Sequence, residues 1–343
     1  MDVNKSYKLP LLVLSLSLFI CFIVNISLGS VSIPFKDVIG QLFGFGVENE
    51  TWRYIVQDYR LPKAITAIIV GSGLGISGLL MQTLFRNPLA GPFVLGISSG
   101  ASLGVALMIM GASIFGGVIG GLLITKWSLV LASSVGSLLV LLAVVVVSQR
   151  VRDTMAILII GLMFASITAA VVSVLSYFAT AEQLQQYIFW GFGSLGHLSW
   201  QELMVLLLVF ILGLILSIAS LKALNTLLLG ENYAKSLGLN IKQSRMIIIL
   251  ATSLLAGTIT AFAGPIAFIG LAVPHIARQI IGTSDHKILL PAIFMIGAII
   301  MLLCDSIAQV PNSDYTLPIN AITSLFGAPI VIWLLVRKRK MIF

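Results

Sequence analysis

Histidine and cysteine are the side chains best suited to metal or nucleophilic chemistry, and in this chain they are scattered. The three histidines are His197, His275 and His286, and none has a second ligand at helical spacing. Structural or interfacial roles are therefore favoured over metal binding. Cys21 and Cys304 both lie inside apolar runs, which suggests neither a disulfide framework nor a metal site. The sequence predicts no metal site.

Phosphate and proton chemistry are equally weakly represented. The chain contains no Gly-Lys dipeptide, so it has no Walker-type phosphate loop, and it contains no His-Glu-x-x-His zinc motif. We therefore predict no catalytic residue and no enzymatic activity of its own. Buried ionisable residues usually mark the path of an ion-coupled transporter. The apolar runs contain almost none, with Asp305 as the main exception, so a pathway powered from outside the chain fits better.

The composition is that of a membrane protein. The 343 residues are 59% hydrophobic and 9% charged, against about 25% charged in a soluble domain. The mean hydropathy is +1.10. A net charge of +8 would suggest nucleic acid in a soluble protein, but here Lys and Arg are explained by loops on one side of a membrane. We predict an all-α polytopic membrane protein.

Ten apolar runs are long enough, or nearly long enough, to span a bilayer. They are residues 9–28, 64–85, 93–110, 129–147, 155–177, 203–219, 246–262, 266–281, 288–308 and 319–336. The first run is too long for the core of a signal peptide, so it is predicted to be a span. Gly71, Gly75 and Gly78 are spaced so that another helix can approach closely.

The distribution of basic residues predicts the orientation. With the N-terminus in the cytoplasm, 15 of the 20 Lys and Arg residues lie inside and 5 outside, as the positive-inside rule requires. Both termini are then cytoplasmic, and the mixed segment 30–62 is an external loop.

The segment 221–245 is the longest polar interruption in the second half of the chain. Within it, residues 230–238 resemble one short helix, with Glu231 at its positive end and Gly238 as a left-handed C-terminal cap. Such a helix either lies on the headgroups or receives a push from a soluble partner. The local sequence leaves both interpretations open.

Motifs in both halves of the chain are similar to those of one family. The first half contains Arg60-Leu61-Pro62-Lys63, Gly71 to Gly78, Gln82, Arg86 to Pro92, Leu95-Gly96-Ile97 and Ser99-Gly100-Ala101. The second half contains Gly264 to Leu271, Val273-Pro274-His275, Arg278, Asp305, Leu317-Pro318 and Gly327-Ala328-Pro329. In this order they resemble the permease subunits of ATP-binding-cassette (ABC) importers for iron-siderophores, haem and vitamin B12, the type II importers. The match covers roughly residues 60–337.

The resemblance implies a ten-span type II importer permease of the bacterial cytoplasmic membrane, with residues 1–343 forming a single transmembrane domain. It implies three kinds of partner: two cytoplasmic ATP-binding subunits, a second permease that is the same chain or a paralogue, and an external substrate-binding protein. This chain is expected to bind no cofactor, with ATP and Mg²⁺ held by the partner ATPase.

Site residues follow from the same resemblance. The segment 221–245 matches the family's coupling helices, with Gly230, Glu231, Ala234, Leu237 and Gly238 at the motif positions.

Arg60 and Lys63 match residues that dock the binding protein, and Arg53 is added from its charge alone. Their alternative role is to extend along the apolar surface and place their charges among the lipid headgroups. Gln309 stands where the family often has an arginine, which weakens docking through that segment. Thr154 matches a position associated with the cytoplasmic gate, whereas Asn87 and Pro88 are assigned to the pathway region but are expected to shape the inner turn.

The predicted cargo is a ferric siderophore, which would give the protein a role in iron homeostasis. Haem or cobalamin is the alternative cargo. An ion-coupled secondary transporter is a less favoured alternative, because it would need ionisable residues, of which the spans contain almost none.

Overall fold

The computed structural model describes residues 7–43, 49–111, 125–148, 154–196, 198–309 and 315–336. Within these ranges the secondary structure is helical, apart from one isolated bridge between Gln309 and Thr316.

The described helices, numbered in chain order, include ten that correspond to the predicted spans. The first half contains α1 (Lys8–Ser27), α2 (Phe35–Phe43), α3 (Glu50–Tyr54), a π-helical segment (Ile55–Arg60), α4 (Leu61–Leu84), a 3₁₀ turn (Pro92–Leu95), α5 (Ile97–Ile109), α6 (Lys126–Ser148) and α7 (Thr154–Phe178). The second half contains α8 (Ala181–Gly191), α9 (Trp200–Ala219), α10 (Leu221–Leu227), α11 (Glu231–Ser236), α12 (Ile241–Thr252), a second π-helical segment (Ser253–Gly257), α13 (Thr258–Ala263), α14 (Ile269–Ile281), α15 (His286–Ala308) and α16 (Ile319–Val336).

Length and hydropathy support the predicted set of membrane spans. Seven helical stretches in the described ranges are long and apolar enough to cross a membrane, and three shorter apolar helices, Ile97–Ile109, Ile269–Ile281 and Ile319–Trp333, accompany them. Each of the ten overlaps one predicted span. The all-α polytopic fold is confirmed, with a count of about ten helices.

Side-chain caps set the starts of several helices. Asn49 accepts hydrogen bonds from the amides of Thr51 and Trp52 at the start of α3. Asn240 and Asp285 cap α12 and α15 in the same way. These residues satisfy backbone amides that have no partner inside the helix.

The chain forms two compact units. Unit 1 comprises Met1–Leu79, Ser194–Leu208 and Ala267–Phe343, and unit 2 comprises Leu80–Gly193 and Val209–Ile266. The chain passes back and forth between the units, and α4 and α9 each contribute to both. That the whole chain acts as one permease domain stays a prediction.

In unit 1, glycines on α4 allow neighbouring helices to approach it closely. A Cβ atom at Gly71 would overlap the carbonyl oxygen of Gly297 on α15, and one at Gly78 would overlap that of Gly270 on α14. Gly75 faces side chains from the same two helices. The predicted close contacts of this glycine series are confirmed.

Unit 2 has a similar close contact between α5 and α6. A Cβ at Gly104 would overlap the carbonyl oxygen of Ala132, and Gly100 and Gly136 are in mutual backbone contact. The hydroxyl groups of Ser102 and Tyr187 are hydrogen-bonded, which ties α8 to α5.

Candidate functional site

The short helix predicted within residues 230–238 is present as α11, and its coupling role stays a prediction. Gly230 precedes it with φ 102°, a conformation that L-residues other than glycine rarely adopt. At the other end, Gly238 has φ 82° and donates to the carbonyl of Lys235 at 2.9 Å, while the amide of Leu239 donates to Ala234 at 3.0 Å. This pair of bonds is a Schellman motif. The predicted left-handed cap at Gly238 is confirmed, and each glycine fixes one end of the helix.

The two faces of this helix differ sharply in exposure. Ala234 is completely buried, so it seats the helix against the rest of unit 2. Tyr233 and Leu237 are 57% and 59% exposed. These two apolar side chains on a polar segment are available for contact with a partner surface.

An ion pair joins α11 to α12. The Glu231 carboxylate lies 3.3 Å from the guanidinium of Arg245, and both side chains are partly buried. An ion pair that is shielded from water is stronger than a fully exposed one. It therefore fixes the direction of α11 relative to the membrane-spanning helix that follows.

The turn after α4 lies beside this helix. The Asn87 side chain accepts from the amide of Leu89 at 2.9 Å, and its carbonyl accepts from Ala90 at 3.0 Å, so Asn87 and Pro88 shape a tight turn. The Arg86 guanidinium lies 3.5 Å from where a Cβ at Gly230 would stand. Thr154, predicted for the gate, begins α7, but its side chain lies outside the described part of the chain. The pathway role of these residues stays a prediction.

Arg60, predicted for docking, is turned inward. Its guanidinium donates to the carbonyls of Ile26 and Ser27, each at 3.1 Å, and to Val31. Two of these carbonyls end α1, where a helix favours a cation. A Cβ at Gly29 would stand 2.7 Å from this guanidinium, so only glycine leaves it room. Arg60 is 4% exposed and clamps the chain leaving α1.

Lys63, like Arg60, is buried and turned inward, but its partner is a carboxylate. Its Nζ lies 3.1 Å from Oδ1 of Asp305, while the amides of Asn25 and Gln309 donate to Oδ2 at 2.9 Å and 2.7 Å. Lys63 is 8% exposed and Asp305 2%. This group of four residues, the Asp305 cluster, joins α1, α4 and α15 within unit 1.

Arg53 differs from the other two basic residues. It is exposed on α3, and its Nε donates to the side chain of Gln57 at 3.2 Å. Docking through Arg60 or Lys63 would require them to leave buried partners, whereas Arg53 is at the surface. The docking role of all three stays a prediction.

Asp305 stood out in the sequence, but Asn25 and Gln309 were not predicted as its hydrogen-bond donors. The available signal was that a carboxylate inside a span needs donors, and that polar residues within spans are the candidates. Asn25 lies 280 residues from Asp305, so nothing local in the sequence linked the two, and Gln309, four residues away, was considered only as a departure from the family's arginine.

Comparison with known proteins decides the family. A model of the FecCD transport family matches residues 17–337, nearly the whole chain. The chain belongs to the FecCD transport family.

The FecCD relatives are importer permeases. The chain is 35% identical over 335 residues to the hemin transport system permease protein of Yersinia pestis, covering 97% of both chains. It is 35% identical over 330 residues to the vitamin B12 import system permease protein of Klebsiella pneumoniae, covering 95% of this chain and 93% of that one.

A solved structure also resembles this FecCD chain. It is an inward-facing conformation of a metal-chelate type ABC transporter, with a TM-score of 0.81 and 30% identity, covering 97% of this chain and 100% of the other. The type II importer permease fold that the motifs implied is confirmed. Permeases of this family lack an ATPase site, so this chain is the membrane subunit of a bacterial ABC importer.

Proposed function

We propose that this permease passes a metal chelate across the cytoplasmic membrane, driven by two ATP-binding subunits that act on the segment 221–245. The observation that carries the proposal is α11 itself: glycines fix both its ends, Ala234 seats it, and its Glu231–Arg245 pair joins it to α12. A short rigid helix held in this way transmits a displacement instead of absorbing it.

The sequence and the relatives point to different cargoes. Ferric siderophore was predicted, with haem or cobalamin as the alternative. The relatives are named for hemin and vitamin B12, both of them metal chelates with a large organic ring. These relatives support haem and cobalamin as the first candidates, with ferric siderophores second.

The proposed assembly follows that of an ABC importer. A second permease, identical or paralogous, completes the pathway, and an external binding protein delivers the chelate. On the binding-protein side, we assign direct docking to the exposed Arg53. Arg60 and Lys63 contribute by fixing the ends of α1, α4 and α15 beneath that surface.

Uptake measurements test the function. Cells with and without the gene are compared under iron limitation for uptake of labelled haem, cobalamin, and hydroxamate and catecholate siderophores. We expect selective loss of one cargo in the deletion strain. The same cargo is then tested in proteoliposomes containing the permease and its ATP-binding subunit, where uptake should require ATP.

Two outcomes would contradict the proposal. Uptake that persists without ATP but collapses with the proton gradient would identify an ion-coupled transporter. Reconstituted complexes that carry none of these chelates would exclude the proposed cargo class.

A further inference from the structure

Arg86 has a backbone conformation that its residue type disfavours. Its φ is 46°, in the left-handed region where a Cβ atom clashes with the backbone. It ends α4 through a Schellman motif, since its amide donates to Thr83 at 3.2 Å and the next amide, of Asn87, donates to Gln82 at 3.1 Å. Glycine is the usual residue at this position.

Elsewhere in the described chain, glycine occupies the left-handed position after a helix. Gly238 occupies the same position in the Schellman motif that ends α11, and glycine also takes the left-handed position after α14, at Gly282. In the described ranges only Arg86 and Phe268 are non-glycine residues with positive φ. The Phe268 side chain packs against Gly327, inside the protein. A strained conformation of this kind is a reason to ask which function the side chain serves.

The Arg86 side chain is exposed, so any contact that explains its conformation is made with a partner at the protein surface. The guanidinium lies beside Gly230, within unit 2, although the two residues are far apart in sequence. A partner that covers α11 would therefore meet Arg86 as well. Two distant segments of the chain form one surface here, with Tyr233 and Leu237 as its apolar part.

Charge indicates what that partner presents. The segment 221–245 contains a single acid, Glu231, and the structure pairs it with Arg245 inside the chain. Exposed cations, by contrast, occur along the same segment at Lys222, Lys235 and Lys242. With Arg86, the surface offers positive charge and apolar side chains. The complementary partner surface has an apolar centre and acidic side chains around it.

We propose that Arg86 is a further contact residue for the ATP-binding subunit and that its guanidinium binds a carboxylate of that subunit. The proposal rests on the function proposed above, because it takes the protein covering α11 to be the ATP-binding subunit. It adds a second contact from the end of α4, a helix that belongs to both units.

Replacing the arginine by glycine separates strain from function. Arg86→Gly removes the guanidinium and also relieves the left-handed strain, so the melting temperature in detergent should stay equal or rise. Binding of the purified ATP-binding subunit, measured at low and high salt, should weaken about tenfold at low salt, as for loss of one interfacial charge pair. The salt dependence of binding should fall as well. Arg86→Lys keeps the charge and should retain part of the affinity.

Lys36→Ala is the matched control, since it removes an exposed cation from α2, within unit 1. Its binding should equal that of the wild type. Unchanged binding by Arg86→Gly would overturn the proposal. Arg86 would then be only an unfavourable residue at the C-terminal cap of α4. Equal weakening by Lys36→Ala would also overturn it, because the effect would then follow net charge. Absence of binding by the wild-type permease would instead count against the proposed function.

Discussion

Asp305 shows how one carboxylate can hold three helices together. Its two oxygens take an ammonium and two amides, from residues that the sequence places at opposite ends of the chain. A charge inside a membrane span is costly unless it is paired and hydrogen-bonded, and this one is both. The sequence could identify the carboxylate as exceptional. It could not identify the donors, because nothing local links Asn25 or Lys63 to Asp305.

Removing the charge of Asp305 should be strongly destabilising. Asp305→Asn keeps the shape but leaves Lys63 as a buried cation without a counter-ion, which costs about 3–5 kcal/mol in the free energy of unfolding. Unfolding of the purified permease in detergent, by heat or denaturant, measures the loss.

A double variant distinguishes charge balance from packing. Lys63→Met with Asp305→Asn removes both charges, so most of the lost stability should return. An Asp305→Asn protein as stable as the wild type would show that the pair contributes nothing.

At the scale of elements, α11 was the most predictable part of the site. Gly230 and Gly238 delimit it in the sequence, and both glycines adopt the positive φ that such a position requires. The partner of Glu231 was not predictable, since Arg245 lies beyond the next turn, on another helix. Arg86 was also hidden, because a Schellman motif with arginine at the glycine position carries no recognisable pattern.

The Glu231–Arg245 pair predicts a charge-swap rescue. Glu231→Arg places two cations together, which should misdirect α11 and reduce ATP-driven uptake about tenfold or more, while the protein remains folded. The swapped double variant, Glu231→Arg with Arg245→Glu, should recover much of the uptake. Transport by reconstituted complexes, normalised to folded permease, measures both variants.

Failure of the swap would be informative. If Glu231→Arg lost uptake and the double variant stayed equally inactive, Glu231 would act on the partner directly and not through Arg245. Normal uptake by the single variant would contradict a coupling role for this helix.

At the scale of the whole molecule, hydropathy alone predicted all ten candidate spans, because each is a continuous apolar run. The short α14, with Pro274 inside it, was also predictable from its length. The division into two units was not, since each unit is assembled from separated stretches. Periodicity and composition predict where a single helix lies in the sequence. The division into units depends on which helices contact each other, which these patterns do not encode.

The predicted orientation can be tested by labelling. In a background with Cys21 and Cys304 replaced by alanine, Lys36→Cys should react with a membrane-impermeant maleimide in intact cells. Lys287→Cys, outside the proposed contact surface, should react only after the membrane is permeabilised, because the positive-inside rule places that residue in the cytoplasm. Both positions are exposed, so access to the reagent is limited by the membrane alone. The reverse pattern would invert the topology.

The Asp305 cluster also has a consequence for how the protein is made. Synthesis runs from the N-terminus, and early segments begin to pack before later ones exist. Unit 2 is complete once residue 266 has been added, but Asn25 and Lys63 must wait for α15 before their carboxylate arrives. Until then α4 carries an unneutralised lysine at one end. Closure of unit 1 is therefore a late event in membrane insertion, and the last-made spans decide whether the first-made ones are stably held.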